Sequence, residues 1–325
     1  MKQIIKQYQD LFLHRFNELT FLKRPVELYE PIDYALAAGG KRLRPVLTVM
    51  ICDFFGNNSE DAINPAIAIE IFHNFTLVHD DIMDDAPIRR GRPSVYSKYG
   101  VNTAILSGDT MFAKAYEFVT YTREDKLPAV LKVFTKTAME VCEGQQIDMN
   151  FEEMPRVSMA EYIEMILLKT AVLMGASLKI GAILGGASTA ECDSIYDFGE
   201  NVGMVFQLQD DLLDAFGDEA TFGKRIGGDI LDCKKTFLYV KTLEKLQPDE
   251  QDKFIDLYAS KSMEDNEKIA KVKEVFIQNA VVDDCRELMN YHHKLAMDAL
   301  QHINLDAEKT AVLKEFAESL LGRDY

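Results

Sequence analysis

Two aspartate clusters share one internal spacing, Asp80-Asp81-Ile82-Met83-Asp84 and Asp210-Asp211-Leu212-Leu213-Asp214. On a helix at ~100° per residue, the first and fifth residues of each cluster lie on one face about a turn apart, so their carboxylates converge. Left alone they repel, and like charges at this spacing weaken a helix by roughly a few tenths of a kcal/mol. A hard divalent cation removes that repulsion. Mg2+ fits best, because it binds through one or two carboxylates and completes its shell with water and phosphate oxygens. The pair of clusters therefore predicts a phosphate-bearing substrate. One such cluster alone is more often a solvated charged face, but two on apolar helices point to chemistry.

The chain carries a formal charge of -17 and has a pI near 4.8, which disfavours nucleic acid as a partner. An anionic substrate is repelled too, unless the site concentrates its own cations. Gly39-Gly40-Lys41-Arg42-Leu43-Arg44-Pro45 sets three cations beside two glycines, so that backbone and side chains can approach a phosphate closely. Arg89-Arg90-Gly91-Arg92-Pro93 follows the first aspartate cluster, and Lys169, Lys224 and Lys234 are spread over the second half. A diphosphate held between Mg2+ and these groups has its leaving-group charge stabilised on both sides.

The elements that must position these residues are helical. The 47% hydrophobic content is ample for a large core, while 18 Gly and 9 Pro are few for a strand-and-turn protein. Asn64-Pro65 is a good helix opening, and the run to Asp84 is apolar nearly all round, as in a buried helix. On it His73 falls ~20° from both Asp80 and Asp84. Ser158 with Glu161, and Ser188 with Glu191, are capping boxes opening two long helices, the second carrying Asp210 to Asp214. Gln207 lies ~40° from Asp211 and ~20° from Asp214, on the same face. Residues 217–229 are rich in Gly and charge without helical period and are expected to form a mobile loop, a candidate lid. From about 235 to 321 the pattern predicts several further helices.

No Pro/Gly/Ser-rich linker or repeat divides the 325 residues, so one domain over 1–325 is expected. Five scattered Cys without a Cys-x-x-Cys predict reduced thiols and a cytoplasmic enzyme. The N-terminal segment is amphipathic rather than signal-like, and apolar stretches such as 171–190 are broken by Lys179, so no membrane span is expected.

In its ordered motifs the chain resembles the trans-isoprenyl diphosphate synthases, the polyprenyl synthetase family. The matching segments are GGKRLRP (39 to 45), DDIMDDAPIRRGRP (80 to 93), GQQID (144 to 148), KT (169 to 170), FQLQDDLLD (206 to 214), GKRIGGDI (223 to 230) and KKT (234 to 236). The resemblance implies an all-α helical bundle around a deep central cavity, a homodimer, about three Mg2+ ions with substrate bound, and condensation of an allylic diphosphate with isopentenyl diphosphate. Carried over, Asp80 and Asp84, with Asp81 adjacent, hold Mg2+ on one side of the allylic diphosphate, and Asp210, followed by Asp211, holds it on the other. Arg89, Lys169, Lys224 and Lys234 grip the same diphosphate. Lys41, Arg44, His73 and Arg90 hold isopentenyl diphosphate, and Thr170 and Gln207 lie beside the reacting carbons.

For product length, the resemblance implies that an aromatic residue five positions before the first cluster, here Phe75, goes with short products. A C20 product, geranylgeranyl diphosphate, is favoured, with the C15 farnesyl product as alternative and a longer chain less expected. Thr76 lies ~40° from Asp80 but Phe75 ~140°, so Phe75 is expected as a side wall, with Phe72 or Met174 candidates for a deeper floor. A terpene cyclase needs no isopentenyl site, and Asp210, Asp211, Asp214, Lys41 and Arg44 speak against it. A non-catalytic subunit of a heteromeric synthase tends to lose an aspartate cluster, and both are intact.

Overall fold

The computed structural model describes residues 1–56, 58–217 and 226–322. Its elements are α1 (Lys2–Asn17), α2 (Val26–Leu36), α3 (Leu43–Phe54), a 3-10 turn (Ser59–Ala62), α4 (Ile63–Met83), a two-stranded hairpin of β1 (Ile88–Arg89) and β2 (Arg92–Pro93), α5 (Val95–Tyr99), α6 (Val101–Thr120), α7 (Leu127–Glu152), α8 (Met159–Ile166), a π-helical segment (Leu167–Ala171), α9 (Val172–Gly185), α10 (Thr189–Phe216), α11 (Gly228–Leu231), α12 (Phe237–Lys245), α13 (Pro248–Ala259), α14 (Asp265–Gln278), α15 (Val281–Leu300) and α16 (Ala307–Leu321). The expected all-α class is therefore borne out; the hairpin is the sole sheet among the described residues. The chain divides into two compact units, one of Met1–Ala138, Met174–Asp197 and Leu300–Leu313, the other of Met139–Leu173, Phe198–Ala299 and the stretch from Lys314.

The first unit is built on α4, which packs against α6 and α3. Its Ile67, Ile69, Ile71, Phe72 and Val78 are buried on several sides, as a helix apolar all round requires. The helix begins two residues earlier than its sequence signal. Asn58, not Asn64, supplies the cap, its side chain accepting from Glu60 N, and the 3-10 turn it opens runs directly into Ile63. Pro65 then sits in the first turn, where an N–H has no helical acceptor in any case.

The second unit gathers α8, α12, α13 and α14 around the buried rings of Tyr162, Tyr239, Phe254, Tyr258 and Phe276. The capping box at Ser158 is present in full, and Ser188 and Glu191 exchange the same reciprocal bonds at the start of α10. Met159–Gly185 is long and apolar enough to cross a membrane, yet two thirds of its apolar window is buried in protein, as in a core helix. All five cysteines are free.

Candidate active site

In the first unit, Asp80 lies in the last turn of α4 and Asp84 is its C-cap, the Asp84 N–H donating to the Asp80 carbonyl at 2.8 Å. Asp81 points inward. It is buried and accepts from Arg89 Nε at 2.7 Å, while Arg89 Nη2 reaches Asp80 at 3.4 Å. Burial pushes the Asp81 carboxyl up to about 6 although Arg89 pulls it down. Arg89 is delivered by the hairpin, whose turn residues Arg90 and Gly91 both have positive φ, 53° and 72°. That is the geometry of a two-residue type I′ turn, and it costs a non-glycine residue about 1 kcal/mol.

The left-handed Arg90 brings the hairpin onto the glycine loop. Its guanidinium donates to the Gly39 carbonyl, and a Cβ on Gly40 would stand 3.1 Å from Arg90 Cζ. Gly40 itself has φ +126°, so glycine is required there twice over. Of the three cations in this loop, Arg42 turns inward. It is buried, donates to Glu70 and to the Leu36 carbonyl, and lies over the Phe16 ring at 5.3 Å. Lys41 is exposed, whereas Arg44 keeps a buried Nε without a hydrogen-bond partner. A buried guanidinium donor without a partner leaves Arg44 able to take an anion. His73 is held neutral, its pKa well below the ordinary value because of burial and then of Arg44, Arg90, Arg42 and Arg89. The first unit thus brings Arg44, His73, Arg89, Arg90 and the first aspartates together, with Glu70 as resident counter-charge.

Phe72 and Phe75 belong to a cluster of rings with Phe112, Tyr116 and Phe134; Phe75 packs tilted against Phe112 at 5.2 Å and edge-on to His79 at 4.8 Å between ring centroids. Both are buried, as is Met174.

In the second unit, Lys169 and Thr170 lie on the π-helical segment, where one extra residue per turn redirects side chains, as such bulges often do at functional sites. Two glycines admit it. A Cβ on Gly144 would stand 2.3 Å from Lys169 N, and one on Gly203 2.6 Å from Ala171 Cα. Lys169 Nζ donates to Asp148 at 2.6 Å, and Lys234 Nζ lies 3.9 Å from the same carboxylate and 3.5 Å from Glu152. Asp148 therefore organises two of the expected diphosphate lysines. Thr170 Oγ1 donates to Gln207 Oε1 at 3.0 Å, and Gln207 Nε2 to Asp211 Oδ1 at 3.0 Å.

Asp211 is buried, and its other oxygen accepts from Tyr162 OH at 2.7 Å and Phe237 N at 2.9 Å. Burial raises its carboxyl to about 6, with these donors opposing the shift. Asp214 accepts from Asp229 N at 3.0 Å at the start of the short helix α11. Asp210 is half-buried on α10. Lys224, residues 218–225 of the expected loop and Arg323 lie outside the described residues. The sequence reading missed the anchoring roles of Glu70, Asp148, Tyr162 and Tyr258. Only Asp148 carried a signal, its place in GQQID.

The helical architecture with these acidic and basic motifs is that of the isoprenoid synthases: the structure aligns with a crystal structure of geranylgeranyl pyrophosphate synthase at TM-score 0.93 and 42% identity, over 99% of each chain. The polyprenyl synthetase family model matches residues 25–276, and the chain belongs to that family. Among curated relatives, geranylgeranyl diphosphate synthase of Methanosarcina mazei is 42% identical over 70% of this chain and 71% of its own. Short chain isoprenyl diphosphate synthase of Methanothermobacter thermautotrophicus is 36% identical over 96% and 92%. The expectation of a trans-prenyltransferase is borne out.

The family is Mg2+-dependent in general. The donor set here fits that ion. Among the described residues no three His, Cys, Asp or Glu side chains form a ready-made cage, whereas Asp80 and Asp84 offer hard oxygens one turn apart at a helix C-terminus. Mg2+ is usually bound by one or two carboxylates with water and substrate phosphates, rather than by an all-protein cage.

Proposed function

We propose that the chain condenses an allylic diphosphate with isopentenyl diphosphate, head to tail and trans, and releases geranylgeranyl diphosphate. The observation that carries this reading is the cationic cluster of Arg44, Arg89, Arg90 and neutral His73 packed beside the first aspartates. One group of anion-binding residues next to a metal-binding pair suits two diphosphates handled together. Asp80, Asp84 and Asp210, with Asp81 and Asp211 adjacent, would hold about three Mg2+ ions, whose positive charge would offset that of the leaving diphosphate. Arg89, Lys169, Lys224 and Lys234 take the departing oxygens' charge, so that the allylic carbon becomes cationic and the isopentenyl double bond attacks it.

Lys41, Arg44, His73 and Arg90 hold the second diphosphate, His73 as a neutral hydrogen-bonding group. Thr170 and Gln207 stand beside the reacting carbons, and the new cation returns its proton to the pyrophosphate. Water must be kept away meanwhile, or an alcohol results. The working form is a homodimer in the cytoplasm; exposed Val101, Ile105 and Leu106 on α6 support a contact between copies.

The ring cluster around Phe75 supports a short product. Phe75→Ala is expected to shift the product distribution towards longer chains, read by sizing labelled products; an unchanged distribution removes Phe75 from that role. The overall reading is tested by incubating purified protein with labelled isopentenyl diphosphate and farnesyl diphosphate. One C5 addition to C20 is expected, and consumption of the allylic diphosphate without isopentenyl incorporation would indicate a cyclase instead.

A further inference from the structure

The segment bearing Lys234 has no regular structure of its own, yet it is pinned at both ends. Chain entry at Cys233 is left-handed, φ 57°, a conformation that an L side chain adopts at a cost of about 1 kcal/mol and keeps only when its surroundings enforce it. Tyr258, buried on α13, donates its hydroxyl to the Lys234 carbonyl at 2.7 Å, and its own carbonyl accepts from the Cys233 thiol at 3.2 Å. Three residues on, the Phe237 N–H is held by Asp211, whose oxygen also takes the Tyr162 hydroxyl. Only residues 234–236 lie between the two pins. Both phenols are deeply buried, which keeps them protonated and therefore able to donate. The Lys234 ammonium meanwhile stays near Asp148 and Glu152, carboxylates it can leave when an anion arrives.

We infer that Tyr258, and Tyr162 acting through Asp211, are positioning residues that lock the bend at Cys233 and so aim Lys234 at the allylic diphosphate. This rests on the reading that Lys234 grips that diphosphate. A merely structural hydroxyl would affect stability, whereas a positioning hydroxyl must act through Lys234.

The test compares Tyr258→Phe, Tyr162→Phe, Lys234→Ala and the double variants with wild type. Tyr258→Phe keeps the ring in its cluster and is expected to raise the KM for the allylic diphosphate about tenfold, the order of one charge-linked hydrogen bond, and to leave the KM for isopentenyl diphosphate within twofold. In the Lys234→Ala background the same change is expected to have no further effect. An unchanged allylic KM in Tyr258→Phe, or a tenfold effect that survives in Lys234→Ala, overturns the inference. If Tyr258→Phe does not fold, Tyr162→Phe is read by the same criteria. Calorimetric binding of magnesium pyrophosphate gives the comparison without turnover: about tenfold weaker binding in the variants is expected, and equal affinity contradicts it. Failure of wild type to incorporate isopentenyl diphosphate would instead strike the functional reading.

Discussion

The two aspartate clusters have the same spelling and different surroundings. In the first, the middle residue Asp81 is met by a cation, Arg89, carried on a hairpin with a strained turn, and the last residue Asp84 ends its helix. In the second, the middle residue Asp211 is met by three neutral donors on three different elements, Tyr162, Gln207 and Phe237, and the last residue Asp214 caps the start of another helix. A charged partner at the end of a side chain can be exchanged when substrate and metal arrive; a set of neutral donors built into the core cannot. The first cluster is thus equipped to change partners, while two of the three aspartates in the second are committed to holding the fold around Asp210.

The largest effect that this contrast predicts is loss of turnover at the metal-facing positions. Asp80→Ala, Asp84→Ala and Asp210→Ala should each lower kcat by about a thousandfold or more with the circular dichroism spectrum intact, since each removes a carboxylate that would hold the Mg2+ countering the developing anion. Equal activity in any of them would break the assignment of that position. The middle residues should separate by stability. Asp211→Asn places an amide hydrogen among donors and should cost about 2 to 3 kcal/mol, seen as a drop in Tm of several degrees. Asp81→Asn, whose partner can shift, should lower Tm less. The reverse order would undo the contrast. The smallest effect is expected at the last residue of the second cluster: Asp214→Ala should cost about 1 kcal/mol, as loss of a helix cap does, and leave kcat within about tenfold of wild type. A loss matching that of Asp84→Ala would make the clusters equivalent.

Much of this was legible from residue spacing. Helical period placed Asp80, Asp84 and His73 on one stripe, and capping boxes at Ser158 and Ser188 marked helix starts that the structure shows. Spacing tells which face a residue occupies but not what stands opposite it. Asp81 and Asp211 occupy equivalent places in their clusters, and only tertiary packing supplies Arg89 to one and Tyr162 to the other. The π-helical segment at Lys169 was invisible for a related reason: the room for it comes from the close approach of Gly144 and Gly203, residues far away in sequence. Arg42 reads as one more phosphate-seeking cation until the buried Glu70 beneath it is seen. The opening of α4 was misplaced because a 3-10 turn can extend a helix upstream of a Pro signal.

The central claim is that paired carboxylates and their neighbouring cations release an allylic electrophile for capture by isopentenyl diphosphate. Its most direct measurement is incorporation of labelled isopentenyl diphosphate by the purified protein, with and without a chelator, followed by sizing of the product. A C20 diphosphate that forms only with Mg2+ present is the predicted result. Incorporation that persists after chelation would contradict the account.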